Sequence, residues 1–195
     1  VLANTGDDDV AKGTLVNKGL LVDANYECLG KNPTAVAPTG EVVISGVVKD
    51  FQSGNPVEEA TIEVFALSDD FSEPCNTATS DSAGHYEVSL AAGCLVEGRA
   101  SWRVIAEDQL ATLHLNQALG CDDQPDDCTF TDERVSVSEV TAATLPAVLG
   151  TSMPSGTSAV VGHVYDCDKN SVANANGRVY ANGAMVQGVE VYYFQ

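Results

Sequence analysis

The chain has 195 residues, with 9 basic against 28 acidic side chains, a formal net charge of −19 and a pI near 4.1. A surface this acidic repels phosphate backbones and anionic bilayers, which argues against nucleic-acid binding and against membrane attachment through basic patches. No stretch approaches the roughly 20 apolar residues of a spanning helix, which argues against membrane insertion, and the length leaves room for one substantial core and part of another.

In chain order, residues 1–40 read as an N-terminal extension. Val1 stands where a Met would begin an unprocessed chain, as expected of a matured or trimmed start. The acidic NTGDDD is followed by GTLVNKGLLVDANYECLG, which offers one or two short strands, and by KNPTAVAPTG, where Pro33, Pro38 and Gly40 break regular structure. Residues 41–140 then show strand patterns at short spacing: Val42–Lys49, Ala60–Leu67, Thr77–Ser80, His85–Leu90, Ala100–Glu107, Leu110–Gln117 and Phe130–Val140. Punctuation by SGNP, DSAG, AAG and EDQ suits antiparallel hairpins. Alternation selects Val48, Ile62, Val64, Tyr86, Val88, Trp102, Val104, Leu113 and Leu115 as the inward set, with Trp102 as a core anchor. Residues 141–158, rich in Pro and Gly, read as a linker, and residues 159–195 as a partial second module.

That second module is visible as an internal repeat. ISGVVKDFQSGNPVEEATIEVFA, from Ile44, returns from Val160 as VVGHVYDCDKNSVANANGRVYA. The register places Gly46 on Gly162, Val48 on Val164, Asp50 on Asp166, Asn55 on Asn170, Val57 on Val172, Ala60 on Ala175 and Val64 on Val179, with one residue fewer in the second turn. Each copy alternates, turns on a Gly/Asn/Asp/Ser cluster and alternates again, the pattern of two half-buried strands joined tightly. The expected fold class is therefore all-β, an antiparallel immunoglobulin- or transthyretin-like sandwich followed by a partial second copy.

The run Gly46-Val47-Val48-x-Asp50, Gly54-x-Pro56-Val57-x-x-Ala60-x-Ile62-x-Val64 and Thr79-x-Asp81-x-x-Gly84-x-Tyr86-x-Val88 resembles the carboxypeptidase regulatory-like module over about Glu41 to Gln117. The second copy matches only the opening strands and has Ser171 where Pro56 would recur. The resemblance implies a small β-sandwich used as an accessory, spacer or adhesion module, as in large secreted bacterial surface proteins.

Six cysteines without paired C-x-x-C spacing point to disulfides and an extracellular or cell-surface location. Local geometry favours Cys75–Cys94 across a hairpin and Cys121–Cys128 across CDDQPDDC, which leaves Cys28–Cys167. His85, His114 and His163 lie in strand patterns without an H-E-x-x-H neighbour, and neither a G-x-S-x-G elbow nor a phosphate loop occurs, so no enzyme and no obligatory cofactor is expected. Candidate calcium ligands are Asp166, Asp168 and Asn170 in one turn, and Asp122, Asp123, Asp126 and Asp127 in another, with solvated acidic turns as the alternative.

The C-terminal MVQGVEVYYFQ reads as a strand with Val189, Val191 and Tyr193 on one face and Tyr192 and Phe194 on the other. A partial module leaves strand edges and an apolar face to be covered, by a missing part of a larger protein, by the first module or by a neighbouring subunit. The leading expectation is a secreted or cell-surface structural protein that assembles with other copies of itself, or with the rest of a larger surface protein, with a filament as one form. The alternative is an accessory module of a larger secreted protein that binds carbohydrate or another surface ligand, with calcium dependence as one form of it.

Overall fold

The computed structural model describes residues 2–4, 25, 27, 39–66, 71–96, 98–119, 128–160, 166–168, 170, 179–181, 184–189 and 191–193. The chain divides into two compact units, one of residues 33–145 and one of residues 1–32 with 146–195.

The 33–145 unit is a sandwich of two four-stranded sheets. Its strands are β2 (Val42–Asp50), β3 (Thr61–Ala66), β4 (Asn76–Thr79), β5 (His85–Leu90), β6 (Arg99–Ile105), β7 (Gln109–Leu110), β8 (Thr112–Ala118) and β9 (Cys128–Ser138), and β1 (Leu2–Asn4) belongs to the other unit. One sheet runs β5-β2-β9-β7 and the other β4-β3-β6-β8. Every pairing is antiparallel except β2 with β9, which are parallel from Val42 opposite Cys128 to Asp50 opposite Ser136.

Period-two burial explains the core. Val42, Ile44 and Val48 of β2 meet Ile62 and Val64 of β3, Tyr86, Val88 and Leu90 of β5, and Ala100, Trp102 and Val104 of β6. Gly46 lies on that inward face because a Cβ there would press on the Asp132 carbonyl and come within 2.8 Å of the Tyr86 ring. Gly84 has φ +75°, and a Cβ there would lie 2.6 Å from the Val48 carbonyl oxygen. It closes the β4–β5 turn, in which Asp81 Oδ1 accepts the N–H groups of Ala83 (2.8 Å) and His85 (2.9 Å). The Cys75–Cys94 disulfide closes the same hairpin.

Three expectations are corrected. Leu113 and Leu115 are not core residues: they are 45% and 55% exposed. Trp102 stands opposite His114, so His114 takes the inward phase, and a bulge follows in which Asn116 adopts φ 52°. The single strand read over Leu110–Gln117 is two strands in different sheets, β7 and β8. Part of the expected linker is a helix, α1 (Glu139–Val148). Ser138 Oγ accepts the Thr141 N–H (3.2 Å) as its N-cap. At the other end Thr151 N–H donates to Pro146 O (2.9 Å) and Gly150 N–H to Ala147 O (3.1 Å), with Gly150 at φ +71°, which is a Schellman stop.

In the unit of residues 1–32 and 146–195, the described strands form two ribbons. β10 (Tyr180–Ala181) pairs with β11 (Ala184–Met185), and β12 (Val191–Tyr193) pairs antiparallel with β1.

Candidate functional site

The repeated turn appears twice with the same closure. In the first copy the Asp50 N–H donates to Asn55 O at 2.8 Å, and Asp50 Oδ1 accepts the N–H groups of Gln52 (3.2 Å) and Ser53 (2.8 Å) and the Ser53 hydroxyl (2.8 Å). In the second copy the Asp166 N–H donates to Asn170 O at 2.9 Å, and Asp166 Oδ1 accepts the N–H groups of Asp168 (3.0 Å) and Asn170 (2.8 Å). The sequence register of Asp50 on Asp166 and Asn55 on Asn170 is thus also a hydrogen-bond register. An Asp at the head of such a turn replaces a strand partner with its own side chain.

Both turns are tethered to distant segments: in the first, the Phe51 N–H donates to Ser136 O (2.8 Å) and the Thr141 hydroxyl to Gln52 Oε1 (2.8 Å). Asp166 Oδ2 accepts from the Asn25 N–H (3.4 Å) and the Asn170 amide (3.2 Å), the Asn25 amide donates to Asp168 Oδ1 (3.2 Å), and the Cys167 N–H donates to Asn25 O (2.8 Å). Burial alone would raise the Asp166 carboxyl, but donors from Asn170, Asn25 and Asp168 hold it below the usual carboxylate range. The Ser53 N–H is the main cause of the same downward shift at Asp50. The three expected cation ligands therefore sit in one turn, with both oxygens of Asp166 accepting N–H groups. Among the described residues no group of three or more His, Cys, Asp or Glu side chains could hold a metal. Asp122, Asp123, Asp126 and Asp127 lie outside the described residues.

Of the expected assembly strand, Val191, Tyr192 and Tyr193 form β12, paired with Asn4, Ala3 and Leu2. Val189 precedes it, half-buried, and Phe194 lies outside the described residues. The partner of β12 in the structure is thus the N-terminal segment of the same chain. Cys128 and Cys167 are disulfide-bonded. Their expected pairings with Cys121 and Cys28 lie outside the described residues.

A polar cluster that the sequence reading missed lies inside the sandwich. Arg134, 3% exposed, pairs with Asp132 and sets its guanidinium 4.0 Å above the Trp102 ring. Cation–π stacking and the ion pair together offset the cost of burying the charge. Burial pushes the Tyr86 hydroxyl up to about 12 against the pull of Arg134. It also holds His114 below its ordinary value, with Arg134 adding to the effect. His114 Nε2 lies 2.9 Å from the Val135 carbonyl oxygen, so it carries the proton and donates. The signal was available: in DERVSVS the residues in phase with Arg134 are Asp132 and Ser136, a polar set that would face solvent on an ordinary half-buried strand.

No family model matches the chain, and no curated protein matches it. Solved structures that match part of the chain include the Bacillus anthracis TIE protein, at 8% identity and a TM-score of 0.35 over 51% of this chain and 17% of that one. A DUF3823 family protein from Parabacteroides merdae matches at 9% identity and a TM-score of 0.33, over 51% of this chain and 47% of that one. Chlorocatechol 1,2-dioxygenase from Pseudomonas putida matches at 13% identity and a TM-score of 0.30, over 51% of this chain and 60% of that one. The chain thus spans less than two thirds of the length of each. These likenesses, all with TM-scores below 0.5, assign no activity to the chain. They do correct one expectation. Catechol dioxygenases recur among the matches, so the exclusion of an enzyme on missing sequence motifs does not stand.

Proposed function

We propose that the chain is a secreted or cell-surface structural protein built from carboxypeptidase regulatory-like modules. On this reading it assembles through exposed β-strands with other copies of itself or with the rest of a larger surface protein. The observation that carries the reading is the repeated turn, closed in the same way at Asp50–Asn55 and at Asp166–Asn170, which supports a chain built from copies of one β module. The first copy contributes β2 and β3 to two four-stranded sheets whose end strands, among the described residues, are β4, β5, β7 and β8. An uncovered end strand is a template to which a strand of another chain can add. The Cys75–Cys94 disulfide is compatible with an oxidising, extracellular setting, and no helix among the described residues is long and apolar enough to cross a membrane.

Light scattering and negative-stain electron microscopy of the purified protein test this reading. Particles larger than one chain, growing with concentration, are expected. A single-chain mass at every concentration would overturn it.

A further inference from the structure

β8 ends its sheet in the order β4-β3-β6-β8, with β6 as its only strand neighbour among the described residues. Its outward leucines, Leu113 and Leu115, are joined on the same face by Ile105 of β6, which is 39% exposed and lies diagonally from Leu113 across the pair formed with Arg103. The Leu115 carbonyl is held by the Gln117 side-chain amide at 2.8 Å, a local substitute for a strand partner.

Soluble proteins guard such an edge with lysine, proline or inward charge. Residues 109–119, QLATLHLNQAL, contain no Asp, Glu, Lys, Arg or Pro, in a chain with 28 acidic and 9 basic residues. The other sheet ends differ: β5 carries exposed His85 and Glu87, β4 is the short polar NTAT, and β7 has two residues. The bulge at Asn116 bends the far half of β8 and leaves Thr112–Leu115 as its regular portion.

We infer that this edge is an interface with a second copy of the chain, β8 against β8 about a two-fold axis. The charge pattern selects the occupant. Two copies at −19 each repel one another over most of their surface, and a charge-free strip is where they approach at least electrostatic cost. A basic partner would be drawn to the acidic surface instead. Antiparallel pairing centred on His114 sets Leu113 opposite Leu115 of the second copy and Leu115 opposite its Leu113, so four leucines share one face; the charge nearest to them on that face, Arg103 opposite Leu113, is already paired with Glu63. This inference rests on the assembly reading above and names one contact for it; a closed pair of this kind is a building block, to which a second contact would add length.

The test combines sedimentation equilibrium with site-directed cross-linking on the full chain. Native protein should associate reversibly. The double variant Leu113→Glu, Leu115→Glu should raise the dissociation constant about tenfold or more, because like charges would face each other across the axis. Both side chains are already solvent-exposed, so the fold is expected to tolerate the change, checked by an unaltered near-ultraviolet circular dichroism spectrum. Leu113→Cys mixed with Leu115→Cys should form a 113–115 disulfide between copies, mapped by mass spectrometry; this arm needs no charged variant to fold. If native protein associates and the Glu variant associates equally, with no 113–115 cross-link, the β8 contact is wrong and the assembly reading survives. If association stops at a pair that the Glu variant abolishes, the β8 contact stands and extended assembly falls. A native chain that never associates overturns both.

Discussion

The turns at Asp50–Asn55 and Asp166–Asn170 are alike in chemistry and unlike in surroundings. Each is closed by the N–H of its aspartate donating to an asparagine carbonyl, and each aspartate folds its carboxylate back onto the N–H groups of its own turn. The first joins β2 to β3, strands that lie in opposite four-stranded sheets. The second belongs to the unit of residues 1–32 and 146–195, where Asp166, Cys167 and Asp168 are hydrogen-bonded to Asn25. A turn is a local object, specified by a handful of polar residues. A sheet is not: its partners come from distant segments, as β9 does for β2.

The comparison can be strained most severely at the first copy's core. Trp102→Ala should cost about 3–5 kcal/mol, because the fully buried ring fills the sandwich and stacks on Arg134. Chemical denaturation followed by circular dichroism would show the loss as a lower midpoint. If the second unit is stabilised separately, a transition belonging to it should persist.

An alkaline titration comes next. The Tyr86 hydroxyl ionises near 10 when unfolded and at about 12 in the sandwich. Its contribution is therefore fully present below pH 10 and is lost as pH rises toward 12, a change of up to about 3 kcal/mol. Tyr86→Phe should flatten that part of the stability profile, measured by denaturant melts across the range; an unchanged slope would remove Tyr86 as its source.

The smallest effects compare the turns directly. Asp50→Ala removes acceptors for Gln52 and Ser53 and should cost about 1 kcal/mol. Asp166→Ala should instead loosen the tether to Asn25, read as faster proteolysis near Cys167 with the sandwich's melting temperature unchanged. Both carboxyls are held below their ordinary range, so what they contribute is present above the unfolded carboxyl range near pH 4 and is lost as pH falls through their lower folded values.

Much of this architecture is legible in the chain because a strand with one buried face must alternate. Val48, Ile62, Val64, Tyr86, Val88, Trp102 and Val104 all face inward as their spacing predicts. The same rule misleads in β8, where the leucines alternate correctly but in the outward phase. The phase is set by the pairing of Trp102 with His114, and that pairing is nonlocal. It misleads in β9 for a different reason: an inward arginine that is stacked and ion-paired occupies a place usually held by an apolar side chain. The helix after Ser138 escapes because its signals are a serine cap and a glycine stop around a short run, without a long apolar period. The parallel pairing of β2 with β9 joins segments 86 residues apart, Val42 with Cys128 through Asp50 with Ser136, and leaves no mark on either strand alone. At the candidate assembly site, the strand character of Val191–Tyr193 was readable, and its pairing with Leu2–Asn4 was not.

The first copy of the repeat has its strand partners within its own chain, and the proposed assembly adds strands of other chains to the unit that holds the second. Amide hydrogen exchange over residues 180–193, read by mass spectrometry at dilute and concentrated protein, tests it most directly. The account predicts that protection there rises with concentration while that of β2, β3 and β6 stays constant. Protection of residues 180–193 that is already complete at high dilution, in a chain of single mass, would contradict it.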